Sequence, residues 1–474
     1  MNKATRVCLM RDGVRTVLSM SNDYDGPPED FAMVVPVPVV LVQESVRTLP
    51  HDVFDHIESL TAPRLVEYWE QDPCAESTRD REGPAIGRGS SGDNRRYAFR
   101  NNREVRVEAQ FAVGEYEVVV LSATQSNALE TWLRENRYNI PSGAAEYLAP
   151  YVREEWKFFV ARVNITRVQR RPDGGARLSP LRFHYDAQDF RLPVRLGLLN
   201  ASGAQDLIVY VLHPRMRFEV ANHRNVFIRT NLDVDASARE RFPELYARLF
   251  DETLERFGGA AVVTEYAWNT NSCDPCPSPT LTGSDLATLG ADALGQGQPG
   301  LDPVARYGSM VVTRLHTRYD RATLSEDLIF REAVPVVGGR EHSVDGRGQL
   351  ESEPRADFST NAFQARYAIR HRWTGPISCR NPVRGIWGGP PGGNAPPVLA
   401  ARDLASVPRG RITTAAFHEP ARPGERGSAG LLDEATVEEE RRHERNRIAV
   451  AAALGGMLVG ALVVALFKRR KIEG

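Results

Sequence analysis

The chain is predicted to fold as α+β, with mainly antiparallel sheets, and three features carry that expectation. Strand-like segments arrive in runs, helical segments are grouped between them, and the connections are short turn-forming pieces such as Pro172-Asp173-Gly174-Gly175 and Asn200-Ala201-Ser202-Gly203. A doubly wound parallel sheet would instead alternate strand and helix regularly. At 42% hydrophobic and 26% charged, the body reads as an ordinary globular one, long enough for two or three domains.

Asp12-Gly13 opens a strand over Val14–Met20, and Ser21–Pro28 leads to a second over Phe31–Val37, where Pro36 and Pro38 imply an edge or a strand end. His51–Leu60 and Pro63–Trp69 read as short helices, since proline suits a first helical turn. Residues 75–103 form a long polar loop. Val105–Phe111 and Glu115–Leu121 make a hairpin turned at Val113-Gly114, and Ser122 or Thr124 then caps an amphipathic helix running to Arg137. Pro141 starts a helix ending near Trp156. Strands follow at Phe158–Val168, Leu181–Tyr185, Val194–Leu199 and Leu207–Leu212. A helix over Ala236–Phe257 precedes strands at Ala261–Tyr266, Met310–His316, Leu328–Phe330 and Ala362–Trp373.

These elements define a body over residues 1–384, with a subdomain break expected near 75–103 or 258–305. Residues 385–447 are a Gly/Pro/Arg-rich and charged tether, its Gly385–Gly430 part lacking apolar periodicity. Ile448–Phe467 is a run of 20 residues without a charge. Since a helix rises about 1.5 Å per residue, such a run matches a hydrocarbon core of roughly 30 Å, and it is read as a transmembrane helix. A basic tail, 468–474, completes the chain. The membrane is therefore one expected partner.

Sixty basic against sixty-one acidic residues leave a net charge of −1, which offers no field for nucleic acid. Orientation is ambiguous by charge, because Arg441, Arg442, Arg445 and Arg447 precede the apolar run and Lys468–Lys471 follow it. The start, Met1–Val7, lacks the apolar core of a signal peptide. Two readings follow: a tail-anchored protein with a cytoplasmic body, or an exported body whose true start lies upstream.

Among five cysteines, Cys273 and Cys276 form a C-x-x-C, while Cys8, Cys74 and Cys379 are isolated. Zinc would need further ligands nearby, and a redox pair would need a helix N-terminus where Pro275, Pro277 and Pro279 stand. A structural disulfide fits best and favours the exported reading, with the body outside and the basic tail cytoplasmic. Cys74 and Cys379 are then the expected second pair and Cys8 is free, although four cysteines allow three pairings.

No motif points to catalysis, a cofactor or a resident metal. Two G-x-G-x-x-G matches, Gly87–Gly92 and Gly295–Gly300, lie in polar loops and cannot aim a helix at a pyrophosphate. G-x-S-x-G, Walker and HExxH motifs do not occur. His51 and His56 stand about 140° apart on a helix, which suits surface histidines more than a joint metal site. His184, His213, His316 and His371 lie on separate strands. Arg366–Trp373 alternates as a strand, with Tyr367, Ile369 and His371 opposite Arg366, Arg370 and Arg372. The arginine row reads as a solvated outer face or as a surface for an anionic envelope component.

Five segments carry a family resemblance. Gly26–Pro38, Leu60–Leu65, Ser272–Cys276, Thr313–Tyr319 and Asn381–Gly385, in that order, resemble the bacterial family catalogued as domain of unknown function 2330, over about residues 5–390. The resemblance implies an exported envelope protein with a leader and often a C-terminal anchor, and it assigns no activity. Its pattern also implies a segment upstream of Met1 and makes Cys8 atypical. The expected role is a membrane-anchored extracytoplasmic binding or structural module, with an unknown envelope partner or ligand. The alternatives are a hydrolase with a dispersed site or a thiol-disulfide enzyme using Cys273 and Cys276.

Overall fold

The computed structural model describes residues 4–22, 32–74, 104–168, 178–199, 203–294, 307–324, 326–340, 351, 354–391, 393–394, 397–402 and 407. Its centre is an eleven-stranded mixed sheet. From one edge this sheet runs β19 (Arg355–Ala356), β18 (Val336–Gly338), β20 (Ala362–Gln364), β15 (Val262–Asn269), β16 (Val311–Tyr319) and β11 (Gln205–His213). It continues through β1 (Ala4–Asp12), β2 (Arg15–Asn22), β9 (Leu181–Asp186) and β4 (Val46–Thr48), with β13 (Asn225–Phe227) on β15. Most pairs are antiparallel, but β1 runs parallel to β11, β18 to β20 and β13 to β15.

Alternation of side chains along these strands builds two cores. Val7, Leu9, Val209, Val211 and Leu315 face a four-stranded antiparallel sheet of β3 (Ala32–Val37), β8 (Lys157–Val163), β7 (Tyr116–Ala123) and β6 (Val105–Val113), meeting its Val118, Val120 and Phe159. Cys8, Met10, Tyr210, Leu212 and Val312 point the other way, onto helix α1 (Asp52–Thr61) and the Leu281–Leu294 segment that holds α5 (Gly283–Leu286). The far face of the small sheet, through Val119, Leu121, Phe158 and Val160, buries α2 (Ser126–Glu135) and α3 (Ala144–Arg153). The layers are thus helix, large sheet, small sheet, helix. Helix α4 (Phe242–Arg256) joins the α1 side, where Phe250 stacks on His316.

Two smaller sheets flank this body: β10 (Arg191–Leu192), β17 (Leu328–Ala333) and β12 (Arg217–Val220), and then β14 (Leu232–Asp233), β21 (Arg366–His371), β5 (Arg64–Glu70), β22 (Trp387–Gly388) and β23 (Leu399–Ala400).

Several expectations are corrected. Pro63–Trp69 is not helical: it is β5, covered on both faces and flanked by parallel β21 and antiparallel β22 and β23, so tertiary burial of Leu65, Val66 and Tyr68 decides the state. Val194–Leu199 closes into a 3₁₀ turn over Arg195–Leu199. The single strand read over Ala362–Trp373 is two, β20 and β21, which belong to different sheets and part at Ala365. Phe242 begins α4 only after a separate 3₁₀ turn, Ala236–Arg239, with Pro243 in its first turn. Helix α2 starts at Ser126, because Ser122 still belongs to β7. β1 was not anticipated, although it pairs with β2 across a Gly13 turn. Within the stretch read as a tether, Trp387–Gly388 and Leu399–Ala400 pair with β5.

The apolar run 448–467, the loop 75–103 and both G-x-G-x-x-G stretches lie outside the described residues. Among the described residues, no helix is long and apolar enough to cross a membrane.

Candidate functional site

Among the described residues, a dense cluster of ionisable side chains lies between the large sheet and helices α1 and α4. On β16 the alternation Arg314, Leu315, His316, Thr317, Arg318 sends the three basic residues toward the helices. Glu265 comes from β15, Asp206 and Tyr210 from β11, Glu58 from α1 and Tyr246 from α4. Arg314 Nε donates to Glu265 Oε2 at 2.5 Å, and its Nη2 donates to Glu58 Oε1 at 3.0 Å. His316 Nδ1 lies 2.7 Å from the other Glu265 oxygen, which also accepts the Tyr246 hydroxyl at 2.6 Å. The far side of the ring faces Asp206 at 3.5 Å, and Tyr210 donates to Glu58. Asp206 is also near Arg318, which reaches Asp251 at 3.5 Å.

Glu58, Asp206, Glu265, Arg314 and His316 are each at most 3% exposed. Burial alone would raise the Glu265 pKa, but His316 and Arg314 hold it down to about 2. Burial likewise opposes charge on His316, yet Glu265 and Asp206 raise its pKa to about 9. Arg314 and the two carboxylates it grips are all held in their charged forms. The tyrosine hydroxyls of Tyr210 and Tyr246 are pushed well up by burial and by the carboxylates they serve. Removing Arg314 would leave the carboxylates of Glu58 and Glu265 without their shared buried countercharge. The cluster has acid–base residue types but no open side where a substrate atom could come within hydrogen-bond reach.

A second cluster gathers around the cysteine loop. Cys273 and Cys276 sit at disulfide distance with Cα atoms 4.9 Å apart, in a non-helical segment. Arg64 Nη1 donates to the Pro275 carbonyl and Nη2 to that of Leu60, both at 2.6 Å. Gln364 donates to the carbonyls of Asp274 and Gly339. Gly339 sits at φ +68°, and a Cβ there would overlap the Gln364 carbonyl oxygen, so the approach requires glycine. His56 completes the corner, its ring between the Pro279 carbonyl at 2.7 Å and Asp285 at 3.3 Å. The hydrogen bond that the ring donates to Asp285 raises the His56 pKa.

Arg366 is next to Arg64 in register across β21 and β5, and both are fully buried. This corrects the solvated-row reading for Arg366: its guanidinium donates to Asn231 Oδ1 at 2.7 Å and to the Tyr68 hydroxyl at 2.8 Å. Arg370 pairs with Asp233, and only Arg372 of the row is exposed. Burial, with the Arg366 charge beside it, holds the Arg64 pKa below its ordinary value.

Cys74 and Cys379 lie at disulfide distance, Cα atoms 5.6 Å apart and 305 residues apart in sequence. Cys8 is buried, and burial pushes its thiol up, away from reactivity. The strand histidines do not converge. His213 Nδ1 accepts from the Met216 amide at 3.0 Å, and His371 meets Glu67 at 2.7 Å while stacking on Trp69. Burial leads the downward shift of His184. His51, which directly precedes α1, and His56 are half-buried. Among the described residues, no group of three or more His, Cys, Asp or Glu is arranged to hold a metal ion.

An open cleft of about 380 Å³ lies elsewhere, at the end of the β-sandwich, between Pro38, Val39, Trp156, Tyr185, Asp186 and Arg191. Its size suits a small molecule, and no cysteine or histidine lines it. Sequence reading missed the Glu58–Arg314–Glu265–His316 cluster. The one available signal was the basic residue at every second position of 314–318, which places all three on one strand face.

Fold and clusters together define an α+β body whose buried ionisable groups bond to one another and whose cysteines bracket its loops. The chain belongs to the bacterial family described as uncharacterized protein conserved in bacteria (DUF2330), whose profile matches residues 1–331. Of the five resembling segments, Asn381–Gly385 lies beyond the matched residues. No curated protein and no solved structure matched the chain.

Proposed function

We propose that this protein is a membrane-anchored extracytoplasmic binding or structural module of the bacterial envelope, held by Ile448–Phe467 with its basic tail in the cytoplasm. The observation that carries the reading is the closure of the ionisable cluster. The groups best suited to acid–base work, His316, Glu265, Glu58 and Asp206, are buried against one another and against Arg314. Export is supported by four of five cysteines standing in two pairs at bonding distance, with the fifth buried. The charge-free run before Lys468–Lys471 supports the anchor.

Topology is tested by protease added outside spheroplasts that express the protein behind an added export signal. Degradation to a small C-terminal fragment is expected, and protection of the whole chain would overturn the exported reading. Mass mapping of non-reduced peptides from the same preparation should recover Cys74 joined to Cys379 and Cys273 joined to Cys276. If Cys273→Ser removes disulfide exchange with a model substrate and leaves the melting temperature unchanged, the protein is a thiol-disulfide enzyme instead.

A further inference from the structure

We infer that the loop Trp373–Gly388 is a foot that rests on the anionic headgroups of the bilayer holding the chain, an inference that builds on the anchored reading above. Three features of this loop point to that partner.

The first is composition. No acidic residue occurs between Asp357 and Asp403, while arginine stands at 366, 370, 372, 380, 384 and 402. Arg366 is buried, Arg370 pairs with Asp233 and Arg384 with Glu70, and the side chains of Arg372, Arg380 and Arg384 are exposed. The second is apolar exposure. Ile377, Val383 and Ile386 are 41%, 59% and 44% exposed, three aliphatic side chains within ten residues. Scattered surface aliphatics need no explanation, but a short segment combining them with arginines, and flanked by the half-buried Trp373 and Trp387, has the amphipathic make-up of an interfacial contact.

The third is rigidity. Glu70, almost fully buried at the end of β5, accepts the Trp373 amide and Arg384 on one oxygen and the Gly385 amide on the other, each at 3.0 Å. Burial alone would raise its pKa, but these donors hold it low. Val383 and Ile386 hydrogen-bond through their backbones to Pro73 and Gln71, beside the Cys74–Cys379 pair, and Arg370 lies over the Trp387 ring at 4.9 Å. The exposed side chains are therefore presented by a fixed loop.

The chain leaves this same sheet at Leu399–Ala400, paired with β5, and the apolar run begins 46 residues after Arg402. On the anchored reading, 46 residues of chain set a finite limit on the distance between the loop and the bilayer, so a weak contact would suffice.

The test uses the full chain reconstituted in nanodiscs of phosphatidylglycerol or of phosphatidylcholine, with amide hydrogen exchange read by mass spectrometry. Exchange across residues 377–388 should slow on the order of tenfold in phosphatidylglycerol discs relative to phosphatidylcholine discs. The combined variant Ile377→Ser with Arg380→Glu should lose that slowing, while exchange in the β15–β16 core stays unchanged and reports an intact fold. Equal exchange in the two lipids overturns the inference, as does slowing that survives the variant. Retention of the chain on discs through a high-salt wash reports on the anchor separately. If the chain washes off, flotation of the same protein with phosphatidylglycerol vesicles decides the foot alone: salt-sensitive binding lost in the variant supports it, and absence of binding overturns it.

Discussion

Arg314 and Arg248 are both arginines bonded to two glutamates, and the contrast between their surroundings separates the part of this molecule that builds the fold from the part that meets solvent. Arg314 grips Glu58 and Glu265 in the core, where no water can replace a lost partner. Arg248 joins Glu252 and Glu255 along the surface of α4. A desolvated charge without its partner is very costly, whereas an exposed one returns to water. The glutamate hub of the Trp373–Gly388 loop lies between these extremes: Glu70 is buried, but the arginine it holds is half exposed.

Breaking the inner cluster should have the largest effect. Arg314→Met leaves two buried carboxylates facing one another, and a loss of about 3–5 kcal/mol is expected in chemical denaturation. A change below about 1 kcal/mol would mean that the cluster does not support the fold.

Next in size is the Cys74–Cys379 pair, which joins the end of β5 to the loop beside Arg384. Replacing both by serine in the exported protein should cost about 2–4 kcal/mol, because the link closes a very long loop in the unfolded chain. The Cys273–Cys276 pair closes a far shorter loop, so its double serine variant should lose less. The reverse order in urea titrations would contradict a structural role for the long link.

A pH series sharpens the comparison without mutation. His316 has its pKa raised to about 9 from 6.5, so its contribution is complete below pH 6.5 and is lost as pH climbs through about 9. Glu265 is lowered to about 2 from 4.5, so its contribution is complete above pH 4.5 and is lost as pH falls toward 2. Stability from this pair should be flat between those inner limits and fall on both sides. His316→Gln should remove most of the alkaline fall, and an unchanged alkaline limb would assign it to other groups.

The smallest effect belongs to the surface. Arg248→Ala should cost no more than about 0.5 kcal/mol and become neutral in high salt. A larger, salt-independent loss would show that α4 relies on this residue for packing.

Much of the secondary structure was legible locally. The hairpin at Val113-Gly114, helix α1, and strands β9, β11, β15 and β16 follow from alternation, helical periodicity and turn residues. Errors cluster where burial overrides such signals. Pro63–Trp69 carries a helix-start proline, yet it became a strand because sheet partners on both sides satisfied its backbone. Ala362–Trp373 reads as one alternating run, and only the packing reveals the passage from one sheet to another at Ala365.

By itself the sequence determined the α+β class, the family, the local Cys273–Cys276 spacing and the charge-free run at 448–467, because each rests on residues adjacent in the chain or on composition. Tertiary structure alone decided that Glu58, Asp206, Glu265, Arg314 and His316 meet, and that Arg366 is buried while Ile377, Val383 and Ile386 are not. Contacts between residues as far apart as Glu58 and Arg314 depend on which sheet faces pack together, and that is a balance of burial over the whole body which no local pattern encodes.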